Sequence, residues 1–164
     1  MLDDETVGLM LEKGTYLVPM AWVMNAMAEP NNPMALLNDS FEKAKRMAEF
    51  HRRSTQLAHR AGVKIVTGTD VGVVPHGKNP MELVALVRYG LSPMEAIVAS
   101  TRTAAEMLGI ADSVGTLKPG MQADLVAMAE NPLDRIESVL NVGFVMKAGQ
   151  TFFDSLSKEV SVAV

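Results

Sequence analysis

Val63-Lys64-Ile65-Val66-Thr67-Gly68-Thr69-Asp70 is a short, mostly apolar and β-branched run that closes on an acid. It contains no proline and follows Gly62. A glycine- and proline-bearing loop over 71–79 comes directly after it. Such a run reads as a buried strand. An acid at the end of a parallel strand stands where α/β folds keep their chemistry, at the carboxyl edge of a sheet or barrel. Aspartate is also a common turn former, so two readings stand at this point: a functional carboxylate or a turn organiser.

Upstream, 39–61 carries one long helical pattern, with Phe41, Ala44, Met47, Ala48, Leu57 and Ala58 as its inward set. Glu29-Pro30-Asn31-Asn32-Pro33 is a loop by composition. Thr15-Tyr16-Leu17-Val18-Pro19 reads as a short strand, its proline tolerable at the end. Asp3 or Asp4 caps a first helix that runs to about Lys13 and stops at Gly14. Two strands separated by a helix imply a right-handed parallel crossover. The runs 15–19 and 63–69 are therefore expected side by side and parallel.

Downstream, Asn79-Pro80-Met81-Glu82 and Ser92-Pro93-Met94-Glu95 repeat one device. Each offers a capping side chain, proline at the first helical position and glutamate three residues after the cap. Gly90 and Gly109 end the two helices. The texture then changes. Ala123–Ala129 and Val142–Lys147 read as strands, and Ala148-Gly149-Gln150 turns the chain toward Thr151-Phe152-Phe153. A boundary near 110–114 gives two parts: 1–111, a parallel strand-and-helix segment, and 112–164, part of a small β-sheet domain.

The chain has 164 residues, 48% of them hydrophobic, enough to bury a sizeable core. A net charge of -4 leaves no footprint for nucleic acid. Its basic cluster, Lys43, Lys45, Arg46, Arg52 and Arg53, is interleaved with Glu42 and Glu49 as on a solvated helix face. The absence of cysteine excludes disulfides, thiolate zinc sites and a cysteine nucleophile. No apolar run reaches the roughly 20 residues that span a bilayer, so no membrane partner is expected. The 13 methionines read as soft core filler.

The strand count does not close. Two parallel strands alone leave edges and apolar faces uncovered, and a complete barrel takes eight strands and about 250 residues. Met1-Leu2-Asp3-Asp4-Glu5 also opens directly into a helix. The chain is expected to be the end of something larger.

Gly72-Val73-Val74-Pro75-His76-Gly77-Lys78-Asn79 nearly matches a phosphate-binding loop and sits between strand and helix. Asn79 stands where a hydroxyl would hold Mg²⁺, and is better used as a helix cap. Pro75 removes one N–H from the cradle. These departures argue against nucleotide binding.

Ile65-Val66-Thr67-Gly68-Thr69-Asp70, the Pro75-His76-Gly77 loop, the Ser92–Ile97 helix start and Thr101–Gly109 resemble the last barrel strand and following helices of the amidohydrolase superfamily. Gly115-Thr116-Leu117-Lys118-Pro119-Gly120-Met121-Gln122-Ala123-Asp124-Leu125-Val126 resembles the return of those enzymes into their small β-sandwich, and Val145–Gly149 its closing strand. Within the superfamily, the prolidase-like, imidazolonepropionase-related hydrolases are the most similar branch.

The resemblance implies an α/β chain: the C-terminal portion of a (β/α)₈ TIM barrel plus part of a β-sandwich. It implies metal-dependent hydrolysis of amide bonds in small-molecule or short-peptide substrates. Asp70 takes the position of the family's catalytic, metal-binding aspartate, and His76 lies in the loop that can touch substrate. The cofactor implied is a divalent metal, zinc by family expectation. The family's His-x-His pair, bridging lysine and two later histidine ligands have no counterpart here. His51, His59 and His76 are the only histidines, and the first two read as surface or packing residues. The chain is thus expected to be inactive alone and to need its missing N-terminal portion or self-association. The alternative is a non-catalytic, self-associating interaction module. The compartment stays open between cytoplasm and periplasm.

Overall fold

The structure is a computed structural model and describes residues 1–29 and 38–158. It is a mixed α/β chain. Among the described residues six α-helices come first: α1 (Asp4–Lys13), α2 (Ala21–Met27), α3 (Asn38–Ala61), α4 (Met81–Arg88), α5 (Pro93–Ser100) and α6 (Arg102–Met107). Three strands follow: β1 (Leu125–Met128), β2 (Val142–Lys147) and β3 (Gln150–Asp154). A 3₁₀ segment, Ile136–Leu140, lies between β1 and β2.

The first helix forms as its sequence dictates. Asp3 accepts the Thr6 N–H at 2.9 Å, and Gly14 closes the helix at φ 65°, where a side chain would be strained. The long helix, α3, also forms. Its inward stripe runs through half-buried Phe41, Ala44 and His51 and buried Ala48, Thr55 and Ala58, at alternating spacings of three and four. Met47, expected inward, is 48% exposed, because it lies one residue, about 100° of turn, off that stripe. Beyond Glu29, the expected 29–33 loop lies outside the described residues.

The parallel crossover is present. Leu17 N–H donates to the Lys64 carbonyl at 2.9 Å, and Val66 N–H to the Leu17 carbonyl at 3.0 Å, a parallel bridge of Leu17 with Ile65. The regular ladder stops there, so neither run is a full strand. On the side away from Leu17, the Ile65 N–H has no hydrogen-bond partner among the described residues, although the residue itself is buried in the core. The two segments approach closely at Gly68, where a Cβ would overlap the Val18 side chain.

Two features differ from expectation. Between 15–19 and 29, the chain makes a helix, α2, that its sequence does not announce. Its N-cap residue is Met20, whose side chain makes no capping hydrogen bond and whose backbone is left-handed at φ 53°. Further on, the single helix expected from 93 to 109 is two. They break at Thr101 (φ −124°, ψ −90°), whose hydroxyl donates back to the Ile97 carbonyl at 2.8 Å.

The core sits where α4 meets the parallel pair. Ala21, Ile65, Ala85, Leu86, Tyr89, Leu91, Ala96 and Ala99 form one buried cluster, with Trp22 and Val87 packed on it. Another face of α4, through Val84, packs on Ile136 and Val139 and so ties the β part to the helices. Burying a side chain such as Leu86 contributes about 2 kcal/mol. The strands β1, β2 and β3 form an antiparallel meander. Ala148 (φ 49°) and Gly149 (φ 77°) make the two-residue turn between Lys147 and Gln150, as hairpin twist requires. Asp124 braces it by accepting the Ala148 N–H at 2.7 Å and pairing with Lys147.

Candidate functional site

Asp70 ends the second parallel run with φ 43°, a left-handed conformation that aspartate tolerates better than most residues. The turn beyond it closes on backbone alone. The Asp70 carbonyl accepts the Val73 N–H at 3.2 Å, and Gly72 N–H donates to the Val74 carbonyl at 3.1 Å. The carboxylate itself is exposed and makes no hydrogen bond or ion pair among the described residues. A turn-organising aspartate would bond back to its own loop; this one leaves its lone pairs open.

Beside it, Thr67, Gly68, Thr69, Asn79, Pro80, Leu83 and Ser100 line an open cavity of about 320 Å³. The cavity thus begins on the three residues before Asp70. A larger cavity, about 440 Å³, is lined by His59, Val63, Lys64, Glu95 and Arg102 among others. It flanks the start of the 63–69 run, and parallel sheets keep their ligands at the opposite, carboxyl end. The smaller cavity is therefore the better placed.

His76 is exposed in the 71–79 loop and has no hydrogen-bond partner among the described residues. His51 and His59 are away from Asp70, on α3. The His51 ring packs against Tyr89, centroids 5.9 Å apart, and burial holds its pKa below the usual histidine value. His59 Nε2 stands 3.1 Å from Glu95 Oε1, joining α3 to α5. Both are packing residues, as expected.

A metal finds an incomplete donor set. No three His, Asp or Glu side chains converge among the described residues. Asp70 offers one carboxylate, whereas catalytic zinc takes three protein ligands. The described residues do not by themselves fit a complete metal centre.

Asn79 does not cap α4. The N-cap is Pro80, with no side-chain bond, and the helix is entered through successive tight turns in which the Lys78, Asn79 and Pro80 carbonyls accept. Glu82, expected to reach back locally, instead leaves its own helix. Its Oε1 accepts the Ala21 N–H at 2.8 Å and its Oε2 the Trp22 N–H at 2.7 Å, capping α2 from sixty residues away. The side chain has 0% exposure. Burial raises its pKa above the ordinary glutamate value, against the lowering effect of the two N–H donors. The only sequence signal for this role is the absence of a capping side chain at Met20.

The amidohydrolase family profile matches residues 2–152. Ochratoxinase of Aspergillus niger is 36% identical over 155 residues, 92% of this chain and 32% of the relative. Imidazolonepropionase of Symbiobacterium thermophilum is 28% identical over 147 residues, 88% of this chain and 30% of the relative. Among solved structures, a Xaa-Pro dipeptidase with methionine bound in its active site superposes with a TM-score of 0.84 at 35% identity, over 93% of this chain and 38% of that one. The crystal structure of A. niger ochratoxinase gives 0.77 at 34% identity, over 93% of this chain and 35% of that one. The chain spans about a third of the length of these curated relatives. With the family match running almost end to end, the chain belongs to the amidohydrolase family.

Proposed function

We propose that this chain is the C-terminal part of a metal-dependent amidohydrolase that hydrolyses amide bonds of small, dipeptide-like substrates. In this reading, 1–111 is the end of a (β/α)₈ barrel and 112–164 part of a small β-sandwich. The observation that carries it is Asp70: an exposed carboxylate at a parallel strand end, unused by its own turn, beside an open cavity, in a chain of this family. Amidohydrolases generally use divalent metals, and zinc is the ion proposed here. Asp70 would be the one ligand this chain supplies, the others lying in the remaining two-thirds of a protein of the relatives' length.

The chemistry assigned to this chain is proton transfer. The Asp70 carboxylate accepts a proton from the attacking water and returns it to the departing amine, work that a positioned carboxylate does for a factor of about 10²–10⁴ in rate. His76, in the following loop, is proposed to touch substrate. The substrate class is supported by the relatives: one structure is a Xaa-Pro dipeptidase with methionine in its active site.

In a protein of the relatives' length, Asp70→Asn should lower turnover of dipeptide substrates by at least about a hundredfold, since an amide cannot take the proton. Substantial hydrolysis by that variant would contradict the proposal. A second reading, a self-associating module, draws on Phe152, Phe153 and Val126, exposed on the meander. The two readings share one expectation for the isolated chain, an oligomer or poor solubility, and sedimentation showing a stable, two-state monomer at micromolar concentration would contradict it.

A further inference from the structure

Glu82 is the most deeply buried acid among the described residues, and no cation pairs with it. Both its oxygens are taken up by backbone N–H groups of another element. A buried carboxylate without a counter-charge is costly unless its lone pairs are satisfied, so the fold holds this arrangement against a desolvation penalty.

Its position gives the arrangement a consequence. The parallel bridge of Leu17 with Ile65 puts the carboxyl ends of both runs on one side of the molecule. Met20, in left-handed backbone, is where the chain leaves the first run, and α2 starts at the next residue. Glu82 lies in the first turn of α4, directly after the 71–79 loop that leaves Asp70. One side chain therefore joins the two segments that follow the two strand ends. Tyr89, two turns along α4, repeats the grip by donating its hydroxyl to Asn25 Oδ1 at 3.0 Å, again on α2. His51 of α3 and Tyr89 are the titratable groups at this junction, with Glu49 and Arg52 of α3 acting on Tyr89 from farther off.

We infer that Glu82 is a positioning residue: its carboxylate clamps the Met20–Trp22 turn to the start of α4 and thereby holds the 71–79 loop, and Asp70 with it, in place. Its effect on turnover rests on the reading of Asp70 given above; the clamp itself does not.

The test uses E82Q, which keeps the volume but turns an N–H₂ toward one of the two backbone donors. Amide hydrogen exchange in the full-length protein should accelerate at least tenfold both at Ala21–Trp22 and at Gly72 and Val73, the hydrogen-bonded amides of the 71–79 loop, with α5 unchanged. Faster exchange at Ala21–Trp22 alone would make Glu82 a local cap and overturn the inference. So would unchanged exchange at both. In protein that hydrolyses dipeptides, kcat should fall at least tenfold with KM within about twofold; an unchanged kcat also overturns it. A wild-type protein with no such activity contradicts the Asp70 reading only, and the exchange pattern then decides the clamp. Should E82Q not fold, the wild-type amide shifts serve. Those of Ala21, Trp22 and the 71–79 loop should follow one titration with its midpoint above the ordinary glutamate value. A loop that does not follow it contradicts the clamp.

Discussion

Two stretches of this chain read alike and fold differently. Asn79-Pro80-Met81-Glu82 and Ser92-Pro93-Met94-Glu95 both open a helix of eight residues. At Ser92 the capping box closes on itself: Glu95 N–H donates to the Ser92 hydroxyl at 3.3 Å, and Ser92 N–H to Glu95 Oε2 at 2.7 Å. That glutamate is exposed, and the Ser92 N–H and hydroxyl, followed by His59, bring its pKa down to about 2. At Asn79 no box forms, and the glutamate turns inward to serve a helix with no cap of its own. The difference teaches that a local motif guarantees the helix start but not where its side chains go. An unmet donor elsewhere in the fold can capture them.

The largest effect should come from the inward member. Glu82→Ala leaves one buried and one partly buried N–H group without an acceptor, so urea unfolding should show a loss of about 3 kcal/mol. A loss below about 1 kcal/mol would mean that water replaces the carboxylate. Ser92→Ala should cost about 1 kcal/mol by the same measurement, the usual value of an N-cap.

The two glutamates should also respond to pH with opposite sign. Glu95 has a depressed pKa, so its ionised form adds stability that is fully present above about 4.5. That contribution is lost as pH falls toward 2. The stability gap between wild type and Glu95→Gln should therefore close on acidification. Glu82 has a raised pKa, so its charge costs stability as pH rises through and above 4.5. Relative to Glu82→Gln, the wild type should gain on acidification. Denaturation midpoints between pH 2 and 7 that move in the same direction for both pairs would refute the contrast. The smallest effect belongs to Asn79→Ala, expected within about 0.5 kcal/mol because its side chain caps nothing.

Much of the fold was legible because it is locally encoded. Asp3 and Gly14 bound α1, Ser92 and Glu95 start α5, and Ala148-Gly149 turns the hairpin; each signal lies within a few residues of its effect. The parallel pair was legible through order alone, strand, helix, strand. What escaped depends on distance in the sequence. The start of α2 is stabilised from Glu82, and the break at Thr101 comes from a backbone turn that no proline or glycine marks. Asp70 was legible as a candidate because it closes an apolar run at the carboxyl end of a strand, although the sequence alone left a turn-forming role open. Its company was not, since the ligands that would complete a metal centre have no counterpart among the described residues.

In the function proposed above, the Asp70 carboxylate serves a metal centre completed by the rest of a longer protein. The direct measurement is a crystal structure of a protein of the relatives' length grown with zinc, read by anomalous scattering. A zinc ion should be found with an Asp70 carboxylate oxygen about 2.0–2.2 Å away, the ordinary zinc–carboxylate distance. A bound zinc whose ligands exclude Asp70, with that carboxylate directed into solvent, would contradict it.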